Sequence, residues 1–137
     1  MAPRLLVVAA LLVVVAALVA SPGAAKEGVV ARVVTPITRD ADPGSKITVV
    51  WTLYFVEAGE RHPFGGGYVF VRLFGPNGSR SPRTYAENPE LGRFRAKVRV
   101  PRGGVRRVEF GIMGTACDQK GCRPSPKIFP IVGRVFR

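Results

Sequence analysis

The sequence is poor in the residue types that most often carry catalysis and metal binding. Its 137 residues include one His, two Cys and only nine Asp and Glu, against 21 Lys and Arg. A single histidine excludes a blue-copper site, which needs two histidines beside a cysteine. Two cysteines allow one disulfide at most, which excludes a disulfide-dense scaffold. A chain of this length forms about one domain, so a large multidomain enzyme is excluded as well.

Other chemistry-bearing motifs are incomplete. Gly65-Gly66-Gly67 is not followed by the Lys-Ser/Thr pair of a phosphate-binding loop, and it permits a sharp turn instead. His62 lies in a polar segment and is interpreted as a surface-loop residue. No loop reproduces a calcium-binding EF-hand. We therefore predict a non-enzymatic protein with no cofactor and no metal site.

One long apolar run stands near the start of the chain. Arg4 precedes Leu5–Ala20, a run of 16 Leu, Val and Ala residues, and helix-breaking and small residues follow it. This order is typical of a secretory signal. We predict a signal helix in residues 1–25, cleaved after Ala25, and a mature domain in residues 26–137; a cut after Ala20 is the alternative. An uncleaved membrane anchor is the other interpretation, although a spanning helix needs about 20 apolar residues.

The rest of the sequence alternates apolar and polar residues, and turn-forming residues interrupt it about every 8–12 positions. The pattern predicts an all-β protein, an immunoglobulin-like antiparallel β-sandwich of about seven strands. The second strand is expected to be central, with Trp51 on its buried face. The predicted strands are Val29–Val34, Lys46–Val56, Tyr68–Phe74, Arg83–Ala86, Gly92–Val100, Val105–Met113 and Lys127–Val135.

A row of positive side chains is the clearest candidate site. In an extended strand these residues share the outer face and span about 20 Å. Further arginines follow in what reads as a tight hairpin at Pro101–Gly104, and Glu109 is expected across it. A solvated outer face is the simpler alternative. The predicted anion-binding residues are Arg93, Arg95, Lys97, Arg99, Arg102, Arg106 and Arg107.

The net charge of +12 calls for a partner or a role in solubility. Nucleic acid would be the usual partner inside a cell, but the predicted export signal argues against it, as does the lack of stacking aromatics beside the cations. We expect an extracytoplasmic protein, secreted, periplasmic or at the cell surface. Its expected partner is an anionic envelope component or an acidic protein. Membrane contact is expected only through the signal segment or lipid headgroups.

Cys117 and Cys122 lie close together in the sequence. An exported protein meets oxidising conditions, so a local disulfide is predicted, which would rigidify the loop before the last strand. The alternative function is an accessory role in extracytoplasmic copper or thiol-redox handling through this pair. Redox motifs favour two intervening residues rather than the four found here, and only His62 and Met113 could complete a metal site.

The segment Gly92–Pro101, read GRFRAKVRVP, is followed by Gly103-Gly104-Val105 and by Val108–Ile112. It resembles the closing hairpin of small exported bacterial domains of the YtkA-like kind, in which a G-x-Y/F-x-A-x-V-x-V-P strand leads into the next strand of an immunoglobulin-like sandwich. The resemblance covers about residues 45–115 and implies an extracytoplasmic sandwich. Some related domains are tied to copper handling with His and Met ligands, and no such ligand set carries over to this chain.

Overall fold

Alternating side chains produce extended strands in the middle of the chain, because residues two apart then share one buried face. A computed structural model describes residues 28–137, so the predicted signal helix and the boundary after Ala25 lie outside the described residues. Residues Pro76–Gly78 form a 3₁₀ turn. The strands of the described part are β1 (Val30–Val33), β2 (Lys46–Glu57), β3 (Glu60–Pro63), β4 (Val69–Phe74), β5 (Thr84–Tyr85), β6 (Glu87–Glu90), β7 (Arg93–Arg99), β8 (Arg107–Asp118) and β9 (Gly121–Phe129).

These strands form two antiparallel sheets. The first sheet has the order β1-β2-β7-β6, with β3 also paired to β2, and the second has the order β5-β4-β8-β9. The all-β prediction is confirmed. The central position predicted for the second strand is confirmed too, since β2 pairs with β1, β3 and β7.

The inner faces of the two sheets share one apolar core. Trp51 of β2 is fully buried, and its ring centroid lies 6.0 Å from Phe94 of β7 and 4.7 Å from Phe110 of β8. Aromatic rings bury large areas and stabilise one another at such distances. Because Phe110 belongs to the second sheet, this cluster joins the two layers at the centre of the domain.

Two strands appear where a loop or turn was predicted. The polar segment after β2 turns back as β3, and Ala58 and Gly59 at the turn both have positive φ, 51° and 77°. This conformation is typical of a two-residue hairpin turn. The short β6 also lacks any alternation, since all four of its residues are exposed.

The bounds predicted for the last two strands are wrong. β8 runs on to Asp118 instead of stopping at Met113, and β9 begins at Gly121 rather than Lys127. After Phe129 the chain forms only isolated bridges, at Ile131 and Phe136. The cysteines therefore lie across a long β8–β9 hairpin.

The hairpin predicted at Pro101–Gly104 is also wrong. β7 pairs with β2 and β6, whereas β8 pairs with β4 and β9. The connection thus crosses from the first sheet to the second at one end of the domain. It is held there by a hydrogen bond from the Val105 amide to the Arg39 carbonyl oxygen, 2.9 Å long.

Candidate anion-binding site

β7 places the predicted row of cations on the outer face of the first sheet. The side chains between them, Phe94, Ala96 and Val98, are buried in the core, as the alternation requires. Arg93 is half-buried and the other three cations are exposed. The row consists of Arg93, Arg95, Lys97 and Arg99.

Half of this row is neutralised by the neighbouring strand. β6 pairs with β7 and brings Glu87 to 3.0 Å from Arg95 and Glu90 to 3.8 Å from Arg93. Such exposed pairs contribute little to stability, but they reduce the positive charge at that end of the row. The sequence did not reveal this, because a glutamate in an irregular segment cannot be assigned to a particular neighbour.

Lys97 and Arg99, at the other end of the row, form no ion pair within residues 28–137. The Arg99 guanidinium donates a hydrogen bond of 3.1 Å to the Gly44 carbonyl oxygen, which holds the side chain against the β1–β2 turn. The free part of the row therefore lies next to the crossover connection.

The crossover separates the remaining predicted cations from the row. Arg102 lies in the connection itself, while Arg107 belongs to β8 on the second sheet. Arg107 pairs with Glu109 at 2.6 Å and stacks over the Phe74 ring at 3.9 Å. The expectation that Glu109 lies across a hairpin from the row is therefore wrong, because Glu109 lies on the other sheet. Arg106, just before β8, is exposed and has no carboxylate partner among the described residues.

A cleft of about 830 Å³ opens where three connections meet at this end of the domain. We call it the end cleft. Arg80, Arg99 and Arg102 line it. No carboxylate of the described residues lines it, and Asp40 and Asp42 of the adjacent turn lie outside the lining. Arg80 was absent from the predicted set, since it follows a turn and has no periodic relation to the row. The lining residues are Gly44, Pro76–Arg80 and Arg99–Gly103.

The outer face of the second sheet carries a different arrangement, in which arginines cover aromatic rings. The Arg83 guanidinium lies 5.4 Å from the Phe70 ring, and Arg72 lies 5.8 Å from the Phe74 ring. Phe70 is fully buried even though its strand neighbours face the core on the opposite side. In the sequence, only the position of Phe70 between the inward-facing Val69 and Val71 indicated that its ring faces outward.

Arg72 of β4 lies at the centre of this group of arginines. Burial lowers the pKa of Arg72, and the nearby Arg80 and Arg83 guanidiniums lower it further, while Glu109 opposes the shift. Its Nε donates a 2.9 Å hydrogen bond to the Ser81 carbonyl oxygen. Arg72 is thus held by the fold and surrounded mainly by like charge, an arrangement that an anion would relieve.

The predicted disulfide is present between Cys117 and Cys122. The two residues lie opposite each other near the tip of the β8–β9 hairpin, and both are exposed. Asp118 at the tip pairs with Arg123 at 3.1 Å. An unsupported two-stranded ribbon is marginally stable in water, so a cross-strand bond stabilises this extension.

His62 stacks on Phe55 at 5.3 Å and lies far along the chain from both cysteines. Within residues 28–137, no group of three or more His, Cys, Asp or Glu side chains is placed to hold a metal ion. Nor does this part of the chain contain a helix long and apolar enough to cross a membrane.

Comparison with known proteins adds no relative. The chain matches no protein-family model, and no curated protein or solved structure matches it at a significant level. The YtkA-like resemblance therefore stays a prediction.

Proposed function

We propose that this protein is a non-enzymatic, exported binding module that engages an anionic polymer of the cell envelope through the cationic end of its sandwich. One observation carries the proposal. The cations around the β7–β8 crossover have no carboxylate partner within the described part of the chain, whereas β6 neutralises the other end of the row. These free cations are Lys97, Arg99, Arg102 and Arg106.

Export is supported by two independent features. The apolar run Leu5–Ala20 has the length and flanks of a secretory signal. The disulfide between Cys117 and Cys122 fits an oxidising compartment, because disulfides persist mainly outside the cytoplasm. Together they favour a partner outside the membrane.

An immunoglobulin-like classification is part of the proposal. The first sheet has the order β1-β2-β7-β6, which corresponds to strands A-B-E-D of that fold. The order β4-β8-β9 corresponds to strands C-F-G, with β5 added beside strand C. Loops at the ends of such sandwiches commonly bind ligands, and the free cations lie at one end.

Electrostatic binding makes the proposal testable. Purified full chain should be retained on immobilised dextran sulfate at about 0.15 M salt, should elute as salt rises, and should not be retained on neutral dextran. Lys97→Ala plus Arg106→Ala should lower the eluting salt concentration clearly, because both cations are free and neither lines the end cleft.

The matched control is Arg95→Ala plus Arg123→Ala, which removes the same charge from cations that already have carboxylate partners. It should change elution much less. Equal shifts in the eluting salt concentration for the two double variants would show that binding depends on net charge alone. Absence of retention would refute the proposal. Retention by an immobilised acidic protein but not by dextran sulfate would also overturn the choice of a polymer.

A further inference from the structure

The end cleft concentrates arginines without counter-charges. Arg80 reaches it from the β4–β5 connection, and Arg99 and Arg102 reach it from the end of β7 and the crossover that follows. The described residues that line it include no Asp or Glu. Arginine presents several N–H donors in a fixed plane that matches phosphate and sulfate oxygens, and such charge-assisted bonds are about twice as strong as neutral ones. The lining therefore suits a compact oxyanion.

The connections that form the cleft are locked together. The single Ser79 hydroxyl proton is shared between the carbonyl oxygens of Pro76, at 2.7 Å, and Arg102, at 2.9 Å, which ties the β4–β5 turn to the crossover. A Cβ at Gly75 would lie 2.6 Å from the Arg102 carbonyl oxygen, so the two segments touch through their backbones. The Gly44 amide donates to Val100 at 2.9 Å, which fixes the third wall.

This packing means that the cleft exists before a ligand arrives. Binding then costs little ordering of the backbone, which is the advantage of a preorganised site. The Arg99 guanidinium is also held, by its hydrogen bond to Gly44.

The size and walls of the cleft indicate more than a bare ion. Its volume of about 830 Å³ falls in the range of about 300–1,000 Å³ that is usual for small organic ligands. Pro76 supplies a partly exposed apolar wall beside the arginines, while Val100 and Pro101 lie buried beneath them. A phosphate or sulfate ester whose organic part is about the size of one sugar would fit this volume, with its charged group at the arginines.

We propose that the end cleft binds the phosphate or sulfate group of a sugar-sized ester, with Arg80, Arg99 and Arg102 contacting its oxygens. The inference rests on the proposed function, since the ester is the repeating group through which an anionic polymer would be recognised. It narrows the partner from any anionic polymer to one that carries tetrahedral oxyanions on carbohydrate-like units.

The experiment is titration calorimetry of the full chain with four probes, namely glucose 6-phosphate, glucose 6-sulfate, inorganic phosphate and glucose. At least one of the two esters should bind more tightly than inorganic phosphate, and glucose should not bind. Arg102→Ala and Arg80→Ala should each weaken ester binding about tenfold, as expected for loss of a charge-assisted hydrogen bond.

Arg95→Ala is the matched control, because it removes one exposed cation that lies outside the cleft. It should leave ester affinity unchanged, and thermal denaturation should show that all three variants fold. Equal weakening by Arg95→Ala and Arg102→Ala would overturn the site. Equal affinity for inorganic phosphate and both esters would overturn the proposal that the ligand is sugar-sized.

The two proposals fail in different ways. The cleft assignment is wrong if the chain binds dextran sulfate but neither ester, or if Arg80→Ala and Arg102→Ala leave ester binding intact. In either case the proposed binding of an anionic polymer by the free cations still stands. If the esters bind but dextran sulfate is not retained, the cleft stands as a small-molecule site and the polymer partner is wrong.

Discussion

The outer faces of the two sheets carry cations in different ways. On the first sheet the row along β7 stands in solvent, and its contacts are exposed ion pairs such as Arg95–Glu87. On the second sheet arginines lie over aromatic rings, and Phe70 beneath Arg83 is fully buried. A residue that points outward from a strand is therefore not always exposed to solvent. Cations on the second face cover buried apolar surface, whereas Lys97 and Arg99 on the first face have no carboxylate partner among the described residues.

The burial of Phe70 depends on the strand beside it. Phe70 lies opposite Gly111 of β8, which has no side chain, so on that side its ring extends across the neighbouring backbone. Tyr85 meets its edge with ring centroids 6.5 Å apart. This outer face therefore contains a small apolar layer of its own, separate from the core between the sheets.

The largest effect is expected when that layer is removed. Phe70→Ala should destabilise the protein by about 3–5 kcal/mol, the usual cost of truncating a buried phenylalanine. The matched variant is Tyr54→Ala on the outer face of the first sheet, where Arg61 lies 4.7 Å from a half-buried ring. It should cost clearly less. Urea denaturation measures both, and equal costs would show that the two faces do not differ in packing.

A smaller loss is expected from Gly111→Ala. The added Cβ would lie 2.5 Å from the Phe70 Cζ atom and 2.7 Å from the Lys127 carbonyl oxygen, so the ring or the strand has to shift. Overpacking of this kind costs about 1–3 kcal/mol. Gly67→Ala is the control, since nothing lies within 4 Å of its added Cβ, and it should change stability by less than about 0.5 kcal/mol. A neutral Gly111→Ala would contradict the close crossing of Phe70.

Sequence patterns predicted the parts of the fold that depend on period-two alternation. The buried face of β2, with Trp51, and the outward row of β7 follow from the spacing of apolar residues alone. The crossover was mistaken for a hairpin because Pro101–Gly104 has suitable turn residues in either case. Which sheet receives the next strand is decided by long-range pairing between β8 and β4, and no local signal specifies it.

The β9 strand begins earlier than predicted, and it contains Pro124 and Pro126, although proline is uncommon inside strands. The Met113 amide donates to Tyr68 and so faces away from β9, which makes the opposite Pro126 a position without a ladder hydrogen bond. Pro124 lies two residues earlier and has the same orientation. Both prolines therefore occur where their missing N–H costs nothing and where they block the free edge.

The candidate site was only partly predictable. Arg99 and Arg102 belong to the predicted set, but Arg80 joins them only because the β4–β5 and β7–β8 connections meet at one end. Likewise, Glu87 and Glu90 neutralise part of the row because the chain leaves the second sheet after β5 and then pairs with β7 of the first sheet as β6. Both features arise from chain topology rather than from any motif.

The smallest stability change, with a measurable change in binding, is expected from Glu87→Gln plus Glu90→Gln. These exposed pairs are each worth about 0.2–1 kcal/mol or less, so the free energy of unfolding should fall only slightly. Removing the carboxylates frees Arg93 and Arg95, so the variant should elute from dextran sulfate at higher salt. Asp118→Asn plus Glu57→Gln removes the same charge away from the row and should raise elution less. Unchanged elution of the first variant would mean that the outer face of the first sheet does not contact the polymer.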